Sequence, residues 1–239
     1  MDIRRSMDRG PTKTGWLDSR HTFSFGGYHD PAFMGVGPLR VINEDRVIPG
    51  AGFPRHSHDN MEIVSYVLEG ALEHEDSIGT GSVIRPGEIQ RMSAGTGIEH
   101  SEYNHSSNDP VHFLQIWIIP EKRGLEPGYE QKSFADLDRR GRFSVIASPE
   151  GDDNAVRLHQ DVTIYSGLFE QDDQACYAVR DGRMAWVQMA RGVIEGPGFE
   201  LRQGDGALFG PGEEIAIAEG SAAEVLLFDL PYPKRSTIG

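Results

Sequence analysis

The segment Arg55–Gly70, with the sequence RHSHDNMEIVSYVLEG, joins two closely spaced histidines to an apolar run that ends in Glu-Gly. His56 and His58 are two residues apart, and Glu62 opens the apolar run. Side chains at positions i and i+2 of a strand point to the same face of a sheet. The spacing predicts that the two imidazoles project together, either as polar residues at the mouth of a loop or as half of a metal site.

A second polar pair follows in the segment Ser93–Asn104, whose sequence is SAGTGIEHSEYN. His100 and Glu102 have the same spacing, so they share one face of a strand. If the two strands are neighbours, three imidazoles and a carboxylate converge. This donor set suits a divalent ion such as Fe(II), Ni(II), Cu(II), Mn(II) or Zn(II), and it leaves positions open on an octahedral ion. We therefore predict one metal site with the ligands His56, His58, His100 and Glu102.

The other histidines fall outside this pattern and are expected to be surface or hydrogen-bonded residues: His21, His29, His74, His105, His112 and His159. The sequence places His74 and His105 in polar loops, and His112 and His159 in strand-like runs. None of them is predicted to bind the metal.

Short apolar or alternating runs, separated by turns rich in glycine and proline, extend along the whole chain. This pattern predicts an all-β sandwich or barrel. A weak internal repeat relates residues 66–95 to residues 186–215, each with a strand, a glycine, a second strand and a Gly-rich turn. Two copies of one β-unit predict two similar β-domains. The polar stretch between about residues 121 and 151 is the expected boundary region.

Composition limits the function classes. The net charge of −14 argues against binding along a nucleic-acid backbone, which requires clustered lysine and arginine. No apolar run is long enough to span a membrane. The single cysteine, Cys176, excludes an intrachain disulfide and is expected to be a buried small residue of a strand. We therefore expect a cytoplasmic protein that binds neither nucleic acid nor a membrane.

Several of these segments resemble a known family. Residues 50–70 and 95–104 look like the two metal-binding motifs of the cupin superfamily. Together with GWLDSRHTFSFGGYHDPAFMG at residues 15–35 and LRVINED at residues 39–45, they resemble the pirin family, in its bacterial branch described as quercetin 2,3-dioxygenases. The resemblance covers essentially the whole chain.

The resemblance implies a bicupin, with two β-sandwich barrels of the double-stranded β-helix type packed together. Residues 1–130 would form a metal-binding barrel and residues 131–239 a metal-free one. The positions of the repeat that correspond to His56 and His58 fall near Ala178 and Arg180, which do not bind metals. The repeat thus agrees with a C-terminal barrel that lacks a metal.

The resemblance also implies an activity, the oxygen-dependent opening of a flavonol ring with release of carbon monoxide. The expected cofactor is one divalent transition-metal ion, with Fe(II) preferred, and the expected substrates are a small flat aromatic compound and O2. In many cupins the fourth ligand is the glutamate of the first motif, here Glu62, whereas in proteins similar to the pirins it is the carboxylate at the position of Glu102. We favour Glu102 as the ligand and as the catalytic base, and expect Glu62 to form hydrogen bonds. The aromatic pocket could draw on Phe23, Phe25, Phe53 and Met92.

The sequence is also compatible with a function of a different class. Proteins that resemble pirin are also described as regulators that bind a metal and act through protein partners without turnover. An enzyme needs a cavity beside the metal that can hold a flat bicyclic ring, and this feature discriminates between the two functions. A monomer is the preferred oligomeric state.

Overall fold

The computed structural model describes residues 1–134 and 136–232, and for residues 136 and 137 it describes only the backbone. The structure is nearly all-β, which confirms the predicted fold class. Residues 135 and 233–239 of the predicted C-terminal domain lie outside the described part. In the N-terminal half the strands are β1 (Asp2–Arg4), β2 (Gly10–Lys13), β3 (Leu17–His21), β4 (Leu39–Val47), β5 (Gly52–His58), β6 (Glu62–Glu69), β7 (Leu72–Asp76), β8 (Gly81–Ile84), β9 (Glu88–Ser93), β10 (Ile98–Asn104), β11 (Val111–Ile118) and β12 (Gly128–Ser133).

The second half begins with a short helix and continues with strands. The helix is α1 (Asp136–Arg139). The strands that follow are β13 (Ser144–Ser148), β14 (Val156–Arg157), β15 (Thr163–Phe169), β16 (Ala175–Ala178), β17 (Arg183–Gly196), β18 (Phe199–Arg202), β19 (Gly206–Phe209), β20 (Glu214–Ile217) and β21 (Glu219–Pro231). A 3-10 turn at Ser6–Asp8 follows β1.

Each half of the chain contains one large and one small sheet. The N-terminal half has a seven-stranded sheet in the order β12-β9-β6-β11-β4-β3-β2 and a four-stranded sheet in the order β5-β10-β7-β8. The C-terminal half has a sheet in the order β1-β19-β17-β21-β15-β13-β14, with β18 on β17, and a pair β16-β20. Two successive sandwiches explain the repeat seen in the sequence.

The two large sheets pack against each other and bury the largest apolar cluster. Alternate residues of β6 and β11, such as Val64 and Ile116, contact a matching row from the C-terminal sheet that includes Trp186 and Phe228. The other face of β11 carries Phe113 into the interior of the N-terminal sandwich. Because β11 is buried on both faces, its sequence is a nearly continuous apolar run, as expected for a fully covered strand.

Two segments cross between the halves. The strand β1 pairs with β19 in the C-terminal sheet, although it comes first in the chain. The strand β12, which spans the predicted boundary at residue 130, pairs with β9 in the N-terminal sheet. A buried polar cluster also joins the halves, since Tyr66 donates a hydrogen bond to Glu224 at 2.5 Å and Arg139 contacts Glu224 at 2.8 Å. The relative position of the two sandwiches is therefore fixed by backbone pairing and by side chains.

The environment of Cys176 differs from the sequence prediction. Its side chain is exposed, not buried. The strand β16 pairs with β20 in a two-stranded sheet, and the exposed residues of β16 alternate along it. Cys176 occupies one of the outward positions of that alternation. Among the described residues, no helix has the length and hydrophobicity needed to cross a membrane.

Candidate metal centre

Antiparallel pairing of β5 with β10 brings the two sequence motifs together. In the register of this pair, His100 lies opposite His56 and Ile98 lies opposite His58. The register shifts between His100 and Glu102, where two residues of β5, Pro54 and Arg55, face one residue of β10. This bulge contains Pro54, which lacks the N–H that a regular ladder would use. The two motifs therefore lie on neighbouring strands, as predicted.

The three imidazoles form a compact cluster. The ring centroids of His56 and His100 are 4.5 Å apart, those of His56 and His58 4.8 Å, and those of His58 and His100 5.1 Å. Within this cluster one nitrogen atom from each ring lies within 4.8 Å of the others. A cation shared by the three rings would offset the repulsion between lone pairs that point toward one another.

The orientation and protonation of the rings suit metal binding. The Nδ1–H of His56 donates to the carbonyl oxygen of Pro54 at 2.8 Å, which leaves its Nε2 as the lone-pair atom. Burial, and then the neighbouring His56, lower the pKa of His58 to about 4. Burial and the surrounding imidazoles lower the pKa of His100 to about 2. The rings of His58 and His100 are therefore neutral at neutral pH, which is the form that binds metals.

Both ring nitrogens of His100 are buried without a hydrogen-bond partner among the described residues. Leaving a buried polar atom unpaired costs about 1–3 kcal/mol. A cation between the three imidazoles would satisfy such an atom. Borderline divalent ions accept imidazole and carboxylate ligands, so the residues present fit the metal that the family resemblance implies.

Glu102 is fully buried beside the cluster and is held by two donors. The hydroxyl of Ser65 donates to its Oε1 at 3.0 Å, and the amide of Gln115 donates to its Oε2 at 2.5 Å. Burial raises the pKa of this carboxyl above its ordinary value despite these hydrogen bonds. Glu102 can therefore hold a proton more readily than an exposed glutamate.

The two donors of Glu102 belong to a row of polar side chains across the large sheet. Cross-strand pairing places Gln90 opposite Ser65, Ser65 opposite Gln115, Gln115 opposite Asn43, and Asn43 opposite His21. All five residues are buried. Because these five polar residues pair in one register, they form a continuous polar row across the sheet next to the histidine cluster. This explains why polar residues interrupt otherwise apolar strands.

His74 is a buried member of the site that the sequence did not suggest. It lies on β7 opposite Glu102 and is fully buried, not in the polar loop that we predicted. Its Nε2–H donates to Asp76 at 3.1 Å. Donor atoms of His74, His100 and Glu102 lie within 4.8 Å of one another. The period-two spacing of Leu72, His74 and Asp76, whose side chains are all buried, is the signal that could have identified it.

Glu62 forms its hydrogen bonds outside the histidine cluster. It is almost fully buried and accepts a hydrogen bond from the backbone N–H of His159 at 3.2 Å and another from its ring at 3.1 Å. Glu62 belongs to neither group of clustered donor atoms in the described residues. This is the hydrogen-bonding role that the sequence favoured. His159 follows β14 and is not part of a strand.

A cavity of about 460 Å³ opens next to the cluster, a size typical of small-molecule sites. His56 and His58 line one side of it, with Phe25, Phe53 and Trp117 as its aromatic walls. The predictions for Phe25 and Phe53 thus agree with the structure. Two other aromatic-pocket candidates were wrong, because Phe23 packs against Trp186 and Met92 packs with Ile63 in the interior.

The sequence matches two family models. One, described as Pirin, matches residues 2–118, and the other, described as a quercetinase C-terminal cupin domain, matches residues 145–230. A quercetin 2,3-dioxygenase of Escherichia coli (strain K12) is 44% identical over 229 residues, which cover 96% of this chain and 98% of the relative. The chain belongs to the pirin family. The resemblance found in the sequence is therefore confirmed.

Solved structures agree with this assignment. The bacterial pirin YhhW of Escherichia coli in complex with nickel(II) superposes with a TM-score of 0.91 at 44% identity, over 97% of this chain and 99% of that one. A quercetin 2,3-dioxygenase of Acinetobacter baumannii matches with a TM-score of 0.71 at 21% identity, over 96% of this chain and 78% of that one, and shows likeness of fold alone. The predicted two-domain cupin fold of the pirins is confirmed.

Trp117 should report binding of a metal to this pirin, because its ring packs edge-on against His58 with centroids 4.9 Å apart. Addition of Ni(II) or Cu(II) to the metal-free protein is expected to quench the tryptophan fluorescence. The quenching should be largely lost in Trp117→Phe and retained in Trp186→Phe, whose indole lies between the two large sheets. Equal quenching in the two variants would contradict a metal position beside His58.

Proposed function

We propose that this protein is a metal-dependent dioxygenase that opens the flavonol ring of quercetin-like substrates with O2 and releases carbon monoxide. The observation that carries the proposal is the position of the histidine cluster on the wall of a cavity with three aromatic side chains. A purely structural metal site would be closed on all sides. The names of the E. coli relative and of the second family model support the same activity.

We propose His56, His58, His100 and Glu102 as the ligands of one divalent transition-metal ion. We keep Fe(II) as the expected metal, and Ni(II), Cu(II), Mn(II) and Zn(II) also suit these ligands. The nickel(II) complex of the E. coli pirin supports a divalent ion in a related site. When bound, the ion would supply Lewis-acid and electron-transfer chemistry toward an enolic hydroxyl and O2.

The residues of the site have distinct proposed roles. The three imidazoles hold the ion while the aromatic walls orient a flat ring and exclude water. Glu102, on leaving the metal, accepts the proton of the flavonol hydroxyl as a general base. Ser65 and Gln115 hold the two carboxylate oxygens in place. The reaction adds both atoms of O2 to the substrate, and one ring carbon leaves as carbon monoxide.

The test combines metal analysis with a turnover assay. Protein purified without oxygen is analysed for metal, quercetin and air are added, and loss of the flavonol absorbance is followed together with carbon monoxide. We expect turnover in proportion to bound metal, and a decrease of at least about 10³-fold in Glu102→Gln, in line with loss of a general base and a ligand. Asp18→Asn, on the outward face of β3, should leave the rate unchanged.

A protein that binds a full complement of metal but releases no carbon monoxide would overturn the proposal. That result would favour the alternative function, a metal-binding regulator that acts through protein partners. The cytoplasmic location, the monomeric state and the division into domains 1–130 and 131–239 stay predictions.

A further inference from the structure

Asp45 lines the same cavity as His56 and His58 but takes no part in the histidine cluster. We propose that Asp45, together with Asn43, forms a subsite that recognises a second hydroxyl group of a polyphenolic substrate, distinct from the hydroxyl that approaches the metal centre. The proposal rests on the proposed function for the class of substrate. It names the part of the cavity that would select among flavonols.

The strand β4 gives Asp45 its position. Asn43 and Asp45 lie on the face of β4 that lines the cavity, whereas Glu44 points to the opposite face and pairs with Arg9. In the strand register Asp45 lies opposite Ser19 on β3 and opposite Phe113 on β11. Both neighbours are buried, so this part of the cavity is screened from solvent.

The carboxyl of Asp45 is buried but incompletely paired. The residue is 2% exposed, and its buried Oδ1 atom has no hydrogen-bond partner among the described residues. Among the described residues no arginine, lysine or histidine forms an ion pair with it. Buried carboxyls are normally paired, as Glu44 and Glu102 are here. Burial, and also the charges of Glu102 and Glu44, raise the pKa of Asp45 to about 7. A hydrogen bond from the side chain of Ser19 acts in the opposite direction but is outweighed.

Asn43 supplies the complementary donor. The Nδ1–H of His21 donates to the Oδ1 of Asn43 at 2.7 Å, and the hydroxyl of Thr12 donates to the Nε2 of His21 at 2.8 Å. These two hydrogen bonds fix the ring of His21 and the amide of Asn43. The amide NH2 of Asn43 makes no hydrogen bond to the described residues and stays available to a ligand.

An acceptor at Asp45 and a donor at Asn43 match the two hydrogen-bonding capacities of a hydroxyl group. The rest of the cavity is aromatic, from Phe25, Phe53 and Trp117, and matches the faces of a flat ring. The ligand class is therefore a planar aromatic compound with a hydroxyl at each end. A site built to bond a hydroxyl discriminates strongly against an analogue that lacks it, because its own buried groups are then left unpaired.

The test measures binding without turnover. Ni(II)-loaded protein is titrated anaerobically with quercetin and with unsubstituted 3-hydroxyflavone, for the wild type, Asp45→Asn, Asp45→Thr and the control Asp18→Asn. We expect the wild type to prefer quercetin by about 10-fold or more, and both Asp45 variants to lose about 10-fold or more of the affinity for quercetin. Their affinity for 3-hydroxyflavone should change less than about 3-fold. The control should match the wild type.

Thermal melting separates this role from a structural one. Because the Asp45 carboxyl is buried with an unpaired oxygen, its replacement should leave the melting temperature unchanged or raised, whereas loss of a structural hydrogen bond would lower it. An equal loss of affinity for both flavonols, or no preference in the wild type, would overturn the subsite. If the preference for quercetin persists and depends on Asp45, but no turnover is observed, only the proposed dioxygenase activity would be overturned.

Discussion

Replacement of both His56 and His58 by alanine is expected to remove the bound metal. The two rings contribute two of the three clustered imidazoles, and their ligand atoms lie within 4.8 Å of His100. A four-ligand structural zinc site binds with about 10–16 kcal/mol, which corresponds to about 3 kcal/mol per ligand. Loss of two ligands should therefore weaken metal binding by roughly four orders of magnitude. Elemental analysis after dialysis measures the loss directly.

The matched control replaces two histidines outside the cluster. His29 is exposed, and His105 is exposed and contacts Glu73 on the surface. The variant His29→Ala/His105→Ala removes the same number of imidazoles and should retain the full metal content. His159→Ala is a further control, because its ring bonds Glu62 and not the cluster. Stoichiometric metal in His56→Ala/His58→Ala would refute the assignment of the site.

The sequence was informative about this site because the spacing of the ligands follows strand geometry. Two i, i+2 pairs on separate strands needed only antiparallel pairing to converge, and β5 pairs with β10 in the required register. The all-β class and the two-unit organisation followed in the same way from short runs and a repeat. These features depend on local sequence patterns, so they can be predicted without knowledge of the tertiary packing.

Other parts of the site depend on packing that no local pattern encodes. His74 converges on Glu102 only because β7 is the other neighbour of β10. The polar row from Gln90 to His21 depends on the register of five strands, whose order differs from the chain order. Phe23 and Phe25 are both aromatic and near in sequence, yet one packs between the large sheets and the other lines the cavity. Their separation is a consequence of the tertiary structure.

The substitution Glu44→Gln is expected to destabilise the protein strongly without removing the metal. Glu44 contacts Arg9 at 2.6 Å, and both side chains are almost fully buried, with 4% and 3% of their surface exposed. It also contacts His112 at 3.0 Å and Arg46 at 2.9 Å. Removal of one partner of a buried ion pair leaves the other charge uncompensated and typically costs 3–5 kcal/mol, so we expect a loss of about that size.

The position of Arg9 explains why this pair affects the whole molecule. Arg9 lies between β1, which belongs to the C-terminal sheet, and β2, which belongs to the N-terminal sheet. The loss of 3–5 kcal/mol corresponds to a decrease in melting temperature of about 10 °C for a chain of this size. The metal content should be unchanged, because Glu44 points away from the face of β4 that lines the cavity.

The effect should depend on pH in a defined direction. Burial alone would raise the pKa of Glu44, but the hydrogen bond from His112 and the charge of Arg9 lower it well below its ordinary value of 4.5. A carboxyl with a lowered pKa stabilises the folded state above its unfolded pKa, and this contribution is lost as the pH falls toward the folded pKa. The stability difference between wild type and Glu44→Gln should therefore be full at pH 7 and shrink below about pH 4.5.

A surface pair provides the control for this measurement. Glu73 contacts His105 at 3.0 Å, but both side chains are more than two-fifths exposed. Exposed pairs contribute about 1 kcal/mol or less, so Glu73→Gln should melt within a few degrees of the wild type at every pH. A Glu44→Gln variant that melts together with Glu73→Gln would mean that Arg9 finds another partner or water. In that case the charge of Glu44 would not be needed to hold the segment that runs from β1 to β2.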